Sequence, residues 1–400
     1  MARHSDPIVI VSAARTPIGG LLGELSPLAA WELGAVAVRA AVERAGLPGD
    51  AVDEVLLGNC LMAGQGQAPA RQALRRAGLP DSVGAVTLSK MCGSGMRAIM
   101  FGHDMLVAGS AAAVVAGGME SMSNAPHLVF ARKGVKYGSA ALQDHMALDG
   151  LEDAYERLPG GAGKSMGVFA EACVAKYGFT REAMDAYAVV STERAMLANK
   201  DGSFDWELAP VSVPGKAGVV QVAKDEQPFK ARLDKIASLK PAFVAGGTIT
   251  AATSSSISDG AAALVLMRES SARERGLLPI ARIAAHAVHA QAPAWFATAP
   301  AGAIGKVLSQ AGWSVGQVDL WEINEAFAVV AMAAMADFGL AHDKVNVHGG
   351  ACALGHPIGA SGARIVVTLL GAMRRRGLSK GVAALCIGGG EATALAVELA

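Results

Sequence analysis

Two stretches of this chain repeat each other in the same order and at nearly the same separation. Ala45-Gly46 followed by Val52-Asp53 recurs as Ala311-Gly312 followed by Val318-Asp319. Ser94-Gly95-x-Arg97 recurs as Ser361-Gly362-x-Arg364. Ala113-Val-Val-Ala-Gly-Gly118 is echoed by the run ending Cys386-Ile-Gly-Gly-Gly390. An insertion inside either half would disturb the spacing, so both halves are expected to follow one βαβ order. Within each half, apolar strands alternate with Ala-rich amphipathic segments, which predicts a mostly parallel sheet flanked by helices. With 400 residues the chain exceeds the usual size of a single core, so two or three cores are expected.

The stretch from Ser121 to Gly247 reads differently. It is richer in Lys, Arg, Asp, Tyr and Phe, and carries the turn-rich runs Leu158-Pro-Gly-Gly-Ala-Gly163 and Pro214-Gly-Lys-Ala-Gly218. Helical spacing appears over Gly167 to Tyr177 and Arg181 to Asn199. The division expected is a first core half over 1–120, an inserted loop domain over 121–247, a return to the first half over 248–273, and a second half over 274–400.

Charge excludes some function classes. Lys plus Arg and Asp plus Glu both number 35, so nothing suggests a nucleic-acid or membrane-surface partner. Five cysteines without a CxxC pair do not read as a disulfide framework, and fit a reducing compartment. The N-terminus passes at once into the apolar run Ile8 to Ser12, leaving little room for a leader peptide, and no apolar run is long enough to span a bilayer. A cytoplasmic protein is the expectation.

The chemistry concentrates in Gly-rich turns. Cys92 lies in Ser89-Lys-Met-Cys-Gly-Ser-Gly-Met-Arg97, between the strand-like Gly84 to Leu88 and the helical spacing of Met96 to Val107. A cysteine at a helix N-terminus is a candidate nucleophile, because unpaired N–H groups and the macrodipole favour thiolate. His356 sits in the loop Gly349-Gly-Ala-Cys-Ala-Leu-Gly-His-Pro-Ile-Gly-Ala-Ser-Gly362, before a helical run from Arg364 to Arg376. Cys386 ends an apolar strand that enters Gly388-Gly-Gly390. A histidine can take a proton from one cysteine while the other moves a proton on the substrate. Each residue alone also reads as ordinary: a small buried hydrophobe, a satisfied loop histidine, a core strand residue.

These segments, with Asn324-Glu-Ala-Phe-Ala328, resemble in content and order the signatures of the thiolase family, and the likeness runs from Ile8 almost to the last residue. The resemblance implies an α/β fold: a duplicated five-layer αβαβα core with an inserted loop domain covering the coenzyme A site. It also implies reversible Claisen condensation of two acetyl-CoA to acetoacetyl-CoA and CoA through an acyl-cysteine, within fatty acid metabolism. The alternative is thiolysis of longer or broader 3-ketoacyl-CoA chains. Coenzyme A thioesters are then substrates, no cofactor is needed, and a homotetramer is expected.

By the same resemblance Cys92 carries the acyl group, His356 activates it, and Cys386 is the acid/base at the α-carbon. Asn324 holds a water that joins His356 in one oxyanion hole, and the N–H groups of Cys92 and Gly388 form the other. Capping of a helix from Ala326 to Phe338 is the competing role for Asn324. Glu325 reads as a loop or first-turn residue. Met166 is expected to border the acyl group, and Phe243, Ser255 and Phe327 to line the pantetheine and adenine pocket. Phe296 replaces the family's usual Met near the active site, and Ser165, Thr253, Ser258 and His348 also depart from the family pattern; these leave the acyl-chain preference open. A zinc or redox site built from Cys92, His356 and Cys386 is a different reading, although a structural zinc site wants four ligands.

Overall fold

The computed structural model describes residues 6–132, 134, 137–157, 161–216 and 218–400. Met1–Ser5, Leu158–Gly160 within the first turn-rich run, and Ala217 within the second lie outside the described residues.

Ten strands pair into one sheet: β1 Ile8–Arg15, β2 Gly19–Gly20, β3 Glu54–Gly58, β4 Gly84–Leu88, β5 Ala113–Ser121, β6 Ser258–Arg268, β7 Ala281–Ala290, β8 Leu320–Ile323, β9 Lys380–Ile387 and β10 Glu391–Leu399. Their order is β8-β9-β10-β7-β1-β6-β5-β3-β4, with β2 on β6. Reading outward from the β1–β7 contact, one half runs β1-β6-β5-β3-β4 and the other β7-β10-β9-β8. Trp321 of β8 then bridges in parallel to Val345, where the first half places β4. The two halves therefore share one strand order.

The expectation of a mostly parallel sheet is wrong for the middle of each half. Pairings β3–β4, β3–β5 and β8–β9 are parallel, but β6 runs antiparallel to β1 and β5, and β10 antiparallel to β9 and β7. The physical reason is connection length: β9 reaches β10 through only the Gly388–Gly390 turn, and a short turn permits only an antiparallel neighbour.

Five layers result. Helices Ala30–Ala45 and Pro69–Ala77 cover one outer face, and helices Ala299–Ala311 and Ala328–Phe338 the other. Between the two sheet halves lie the helices Ser94–Ala108 and Ile358–Arg376, within a third apolar cluster fed by both halves. Every residue from Ile358 to Met373 is buried, as a helix enclosed by two sheets requires.

The repeated residues do repeated work. Helix Ala30–Ala45 ends at Gly46 (φ +66°) and helix Ala299–Ala311 at Gly312 (φ +69°), both left-handed caps that glycine adopts without strain. Asp53 accepts from the N–H groups of Ala112 and Ala113, and Asp319 from those of Ser379 and Lys380, so each carboxylate holds the start of the adjacent strand. The recurring Ser-Gly falls where the two central helices cross. A Cβ on Gly95 would lie 2.8 Å from Ala363 N, and one on Gly362 would lie 2.5 Å from Met96 N. That close approach brings the start of one half's central helix against the start of the other's.

Candidate active site

The turn before helix Ser94–Ala108 is strained. Met91 has φ +46°, a conformation rarely adopted by a long side chain. Ser94 Oγ holds it, accepting from Lys90 N–H at 2.7 Å and donating to Met91 O at 2.6 Å. Lys90 also forms an ion pair with Glu391, just past the glycine triplet. A Cβ on Gly93 would lie 2.4 Å from Ile387 Cδ1, so the Cys92 turn rests directly on the end of β9.

Cys92 is half-buried, and its thiol behaves differently from the expectation drawn from the helix terminus. Burial pushes it up to about 11; N–H groups of Gly388 and of Cys92 itself pull it down, and the Glu120 carboxylate raises it. Desolvation outweighs the helix N-terminus. The resting group is a thiol, and it needs a base.

His356 is suited to be that base. It is buried between Gly355 (φ +110°) and Pro357, which precedes helix Ile358–Arg376. Its N–H donates to Ser256 O at 3.1 Å and Ser258 Oγ at 3.2 Å. Ser361 Oγ gives its only proton to Pro357 O at 2.9 Å and lies 2.6 Å from His356 Nδ1. A serine whose proton goes to Pro357 O accepts from Nδ1–H, and that tautomer offers the Nε2 lone pair as a base. Nε2 is buried and has no hydrogen-bond partner. Burial, followed by the nearby Arg364 guanidinium, lowers the imidazole to about 3, which keeps it neutral.

Cys386, 1% exposed, is the penultimate residue of β9, two residues before Gly388. Burial raises its thiol well above the ordinary range, and the Cys92 sulfur adds to the rise. Gly389 (φ +97°) and Gly390 (φ +83°) make the turn that a side chain would block, since a Cβ on Gly390 would lie 2.4 Å from Gln291 O.

Asn324 follows β8 and is buried. Its N–H donates to Ala384 O at 3.0 Å and its Oδ1 accepts from Arg364 at 3.4 Å, while Nδ2 has no partner. It caps no helix: the following helix begins at Ala328, with Phe327 as its N-cap. Glu325 is fully engaged, accepting from Tyr187 and Ser191 hydroxyls and from Asn346 Nδ2, each at 2.8 Å, and from Cys352 N–H at 3.1 Å. It braces the loop beneath Asn324, as its place in a turn led one to expect.

Met166 opens helix Met166–Tyr177, and its Cε lies 3.7 Å from where a Gly388 Cβ would stand. Phe243 covers Gly167, whose Cβ would meet the ring at 2.2 Å. From there an edge-on row runs from Phe243 to Phe327 (5.7 Å between centroids) and on to Phe296 (6.2 Å). Phe296 is 2% exposed and packed in the outer core of the second half, behind Phe327. Ser255 is half-buried and donates its N–H to Ala326 O at 3.0 Å, beside the Asn324 loop.

Two supporting groups were missed in the sequence. Ser361, which fixes the His356 tautomer, was visible only as part of the repeated Ser-Gly-x-Arg. Glu120, at the end of β5, accepts from the N–H groups of Cys60, Leu61 and Gly359 and from Asn59 Nδ2, joining the floor of the Cys92 turn to the helix that follows His356. A lone buried carboxylate after an apolar strand is its only trace in the sequence. Among the described residues, the converging set of three metal-capable side chains is His103, Asp104 and His286, not Cys92, His356 and Cys386.

Residues 8–270 match the thiolase N-terminal domain, and residues 277–399 the thiolase C-terminal domain. A probable acetyl-CoA acetyltransferase of Dictyostelium discoideum is 48% identical over 399 residues, covering 99% of this chain and 95% of that protein. An acetyl-CoA acetyltransferase of Cupriavidus necator is 48% identical over 394 residues, covering 98% and 99%. The crystal structure of the Bacillus anthracis acetyl-CoA acetyltransferase superposes with TM-score 0.95 at 40% identity, covering 99% of both chains. That of a thiolase from Ascaris suum in complex with coenzyme A does so with TM-score 0.92 at 43% identity, covering 98% of this chain and all of that one.

Proposed function

This chain belongs to the thiolase family, and from that premise we propose that it condenses two acetyl-CoA reversibly to acetoacetyl-CoA and CoA. The observation that carries the mechanism is the buried, unpartnered Nε2 of His356.

Cys92 passes its proton to His356 Nε2, and the thiolate attacks the acetyl-CoA carbonyl carbon. The oxyanion is held by the N–H groups of Cys92 and Gly388, both of which reach the Cys92 sulfur at rest. As the C–S bond to coenzyme A breaks, the departing thiolate takes the proton of Cys386. That leaves an acetyl group on Cys92, a thiolate at Cys386 and a charged His356. Cys386 then removes the α-proton of a second acetyl-CoA; the burial that makes its thiol a weak acid makes its thiolate a strong base. The developing enolate oxygen is held by His356 Nε2–H and by a water on Asn324 Nδ2, a donor with no other partner. The enolate carbon attacks the acetyl carbonyl, Cys92 leaves as thiolate, and His356 returns its proton. No cofactor enters the scheme; coenzyme A thioesters are the substrates.

Met166 beside Gly388, with the Phe243–Phe327 edge contact leading away from it, supports an acetyl-sized site with an apolar approach for the pantetheine arm; Ser255 lies on the same loop wall and Phe296 backs Phe327. A homotetramer in the cytoplasm, serving fatty acid metabolism, accompanies this reading. The support for assembly is the edge strand β4, whose Val86 is exposed, and the exposed Phe101 on the central helix. Sedimentation would report the assembly.

Thiolysis of acetoacetyl-CoA, compared with 3-ketohexanoyl- and 3-ketooctanoyl-CoA, tests the activity, with Cys92→Ala as control. Strong preference for acetoacetyl-CoA, abolished in the variant, is expected. Comparable rates on the longer substrates would replace the reading with a thiolase of broader chain range.

A further inference from the structure

His103 and Asp104 on the central helix Ser94–Ala108 meet His286 of β7 in a closed triangle. His286 Nε2 lies 2.9 Å from Asp104 Oδ1 and 3.2 Å from His103 Nδ1, and His103 Nδ1 lies 3.1 Å from Asp104 Oδ1. No arrangement of protons satisfies all three contacts around an ionised carboxylate. If both nitrogens donate to Asp104, two N–H groups face each other. If one nitrogen accepts from the other, its lone pair faces the carboxylate. A divalent cation removes the conflict, because all three atoms then offer lone pairs to one centre.

The fold aims these side chains deliberately. β7 carries a bulge between Ile283 and Ala285. Ile283 packs in the central cluster and Ala287 in the outer one, so His286 faces the central layer where the helix lies. The rings meet edge-on, with centroids 4.8 Å apart. Around a tetrahedral zinc with bonds of about 2.0–2.1 Å, ligand atoms stand roughly 3.3 Å apart, so the triangle need open only slightly. Two imidazoles and one carboxylate suit zinc and neighbouring first-row ions. The imidazole side chains are 20% and 18% exposed and the carboxylate 52%, which leaves the remaining coordination position to water.

We propose that His103, Asp104 and His286 bind a zinc-class divalent cation that clamps the central helix of the first half to a strand of the second. The cation lies roughly 16 Å along the helix from the Cys92 turn, so its role is to stabilise and not to react.

Tag-free, metal-stripped protein titrated with Zn²⁺ and with Co²⁺ tests this. One equivalent should bind per chain, and the thermal midpoint should rise on adding Zn²⁺. His286→Gln and His103→Gln should each weaken binding roughly tenfold or more and abolish the rise. Retained thiolysis reports that each variant is folded, and His103→Gln serves if His286→Gln does not fold. The Co²⁺ spectrum should show ligand-field bands without thiolate-to-metal charge transfer. Absence of stoichiometric binding, undiminished affinity in a folded variant, or a thiolate band placing the metal on cysteine would overturn the proposal.

Discussion

Ser361 Oγ stands 2.6 Å from His356 Nδ1 and 2.9 Å from Pro357 O, a placement in which the serine donates to the carbonyl and favours the imidazole proton on Nδ1. The serine lies one helical turn beyond Pro357, so the backbone carbonyl that orients it belongs to the same helix. The tautomer is thus built into the start of helix Ile358–Arg376.

Ser361→Ala should free the imidazole to place its proton on either nitrogen and to rotate. Losing a hydrogen bond of about 1–1.5 kcal/mol corresponds to a roughly tenfold fall in kcat. KM for acetoacetyl-CoA should change little. Steady-state thiolysis separates the two; a larger change in KM than in kcat would refute the positioning role.

Asn324→Ala removes the unpartnered Nδ2. Loss of a single oxyanion-hole donor costs about 10²–10³ in kcat. Coenzyme A affinity, measured by product inhibition, should remain close to wild type. An unchanged rate would remove Asn324 from the mechanism.

Without substrate, Cys92 should alkylate slowly near neutrality. Since its thiol is pushed up to about 11 from 9.0, the iodoacetamide rate should keep climbing past pH 9 and level off near 11. Mass spectrometry of the modified peptide follows Cys92 alone. A plateau at or below pH 9 would mean that the helix terminus outweighs burial.

His356 is held neutral in the fold, down to about 3 against 6.5 for the free group. The unfolded chain therefore binds more protons below pH 6.5, and stability is lost as pH falls from 6.5 towards 3, by up to about 1.4 kcal/mol per pH unit. Above 6.5 the group contributes no pH dependence. Denaturant midpoints against pH for wild type and His356→Asn isolate this contribution: the variant should show the shallower acid slope.

Gly118→Val tests the central packing. A Cβ there would stand 2.0 Å from the carbonyl oxygen of Gly359, a backbone atom of an enclosed helix that cannot move aside. Overpacking typically costs about 1–3 kcal/mol, and more where backbone must shift, so the variant should accumulate poorly and melt early.

Much of the site was legible in the residues. Cys92, His356 and Cys386 were placed from glycine-dense turns between periodic segments, and glycines in those turns let segments far apart in the chain pack backbone against backbone. The helices Met166–Tyr177 and Arg181–Ala198 began near their expected positions because periodicity is local, whereas the helix expected from Arg364 begins at Ile358, its first turns hidden in the glycine-rich run. The sheet was misjudged as mostly parallel because the short Gly388–Gly390 turn was read only as a reactive loop and not as a hairpin, and because β6 returns from a distant insertion whose direction no local pattern encodes. Asn324 was weighed as a helix cap because Asn is a good cap; the structure starts the helix four residues later. Ser361 was seen as a repeat and not as the partner of His356, since a hydrogen bond carries no sequence period.

By itself the sequence determined the duplicated architecture and the candidates for the reactive groups, because strand and helix periods, left-handed glycines and nucleophile types are properties of short segments. Only the tertiary structure decided their protonation and their partners. Cys92 is a thiol because burial removes water from it, and Gly388 N–H meets it from nearly the far end of the chain. His103 and Asp104 acquire His286 only because a bulge in β7 turns that ring towards the central helix. Desolvation and long-range contact belong to the packed molecule, and no stretch of sequence contains them.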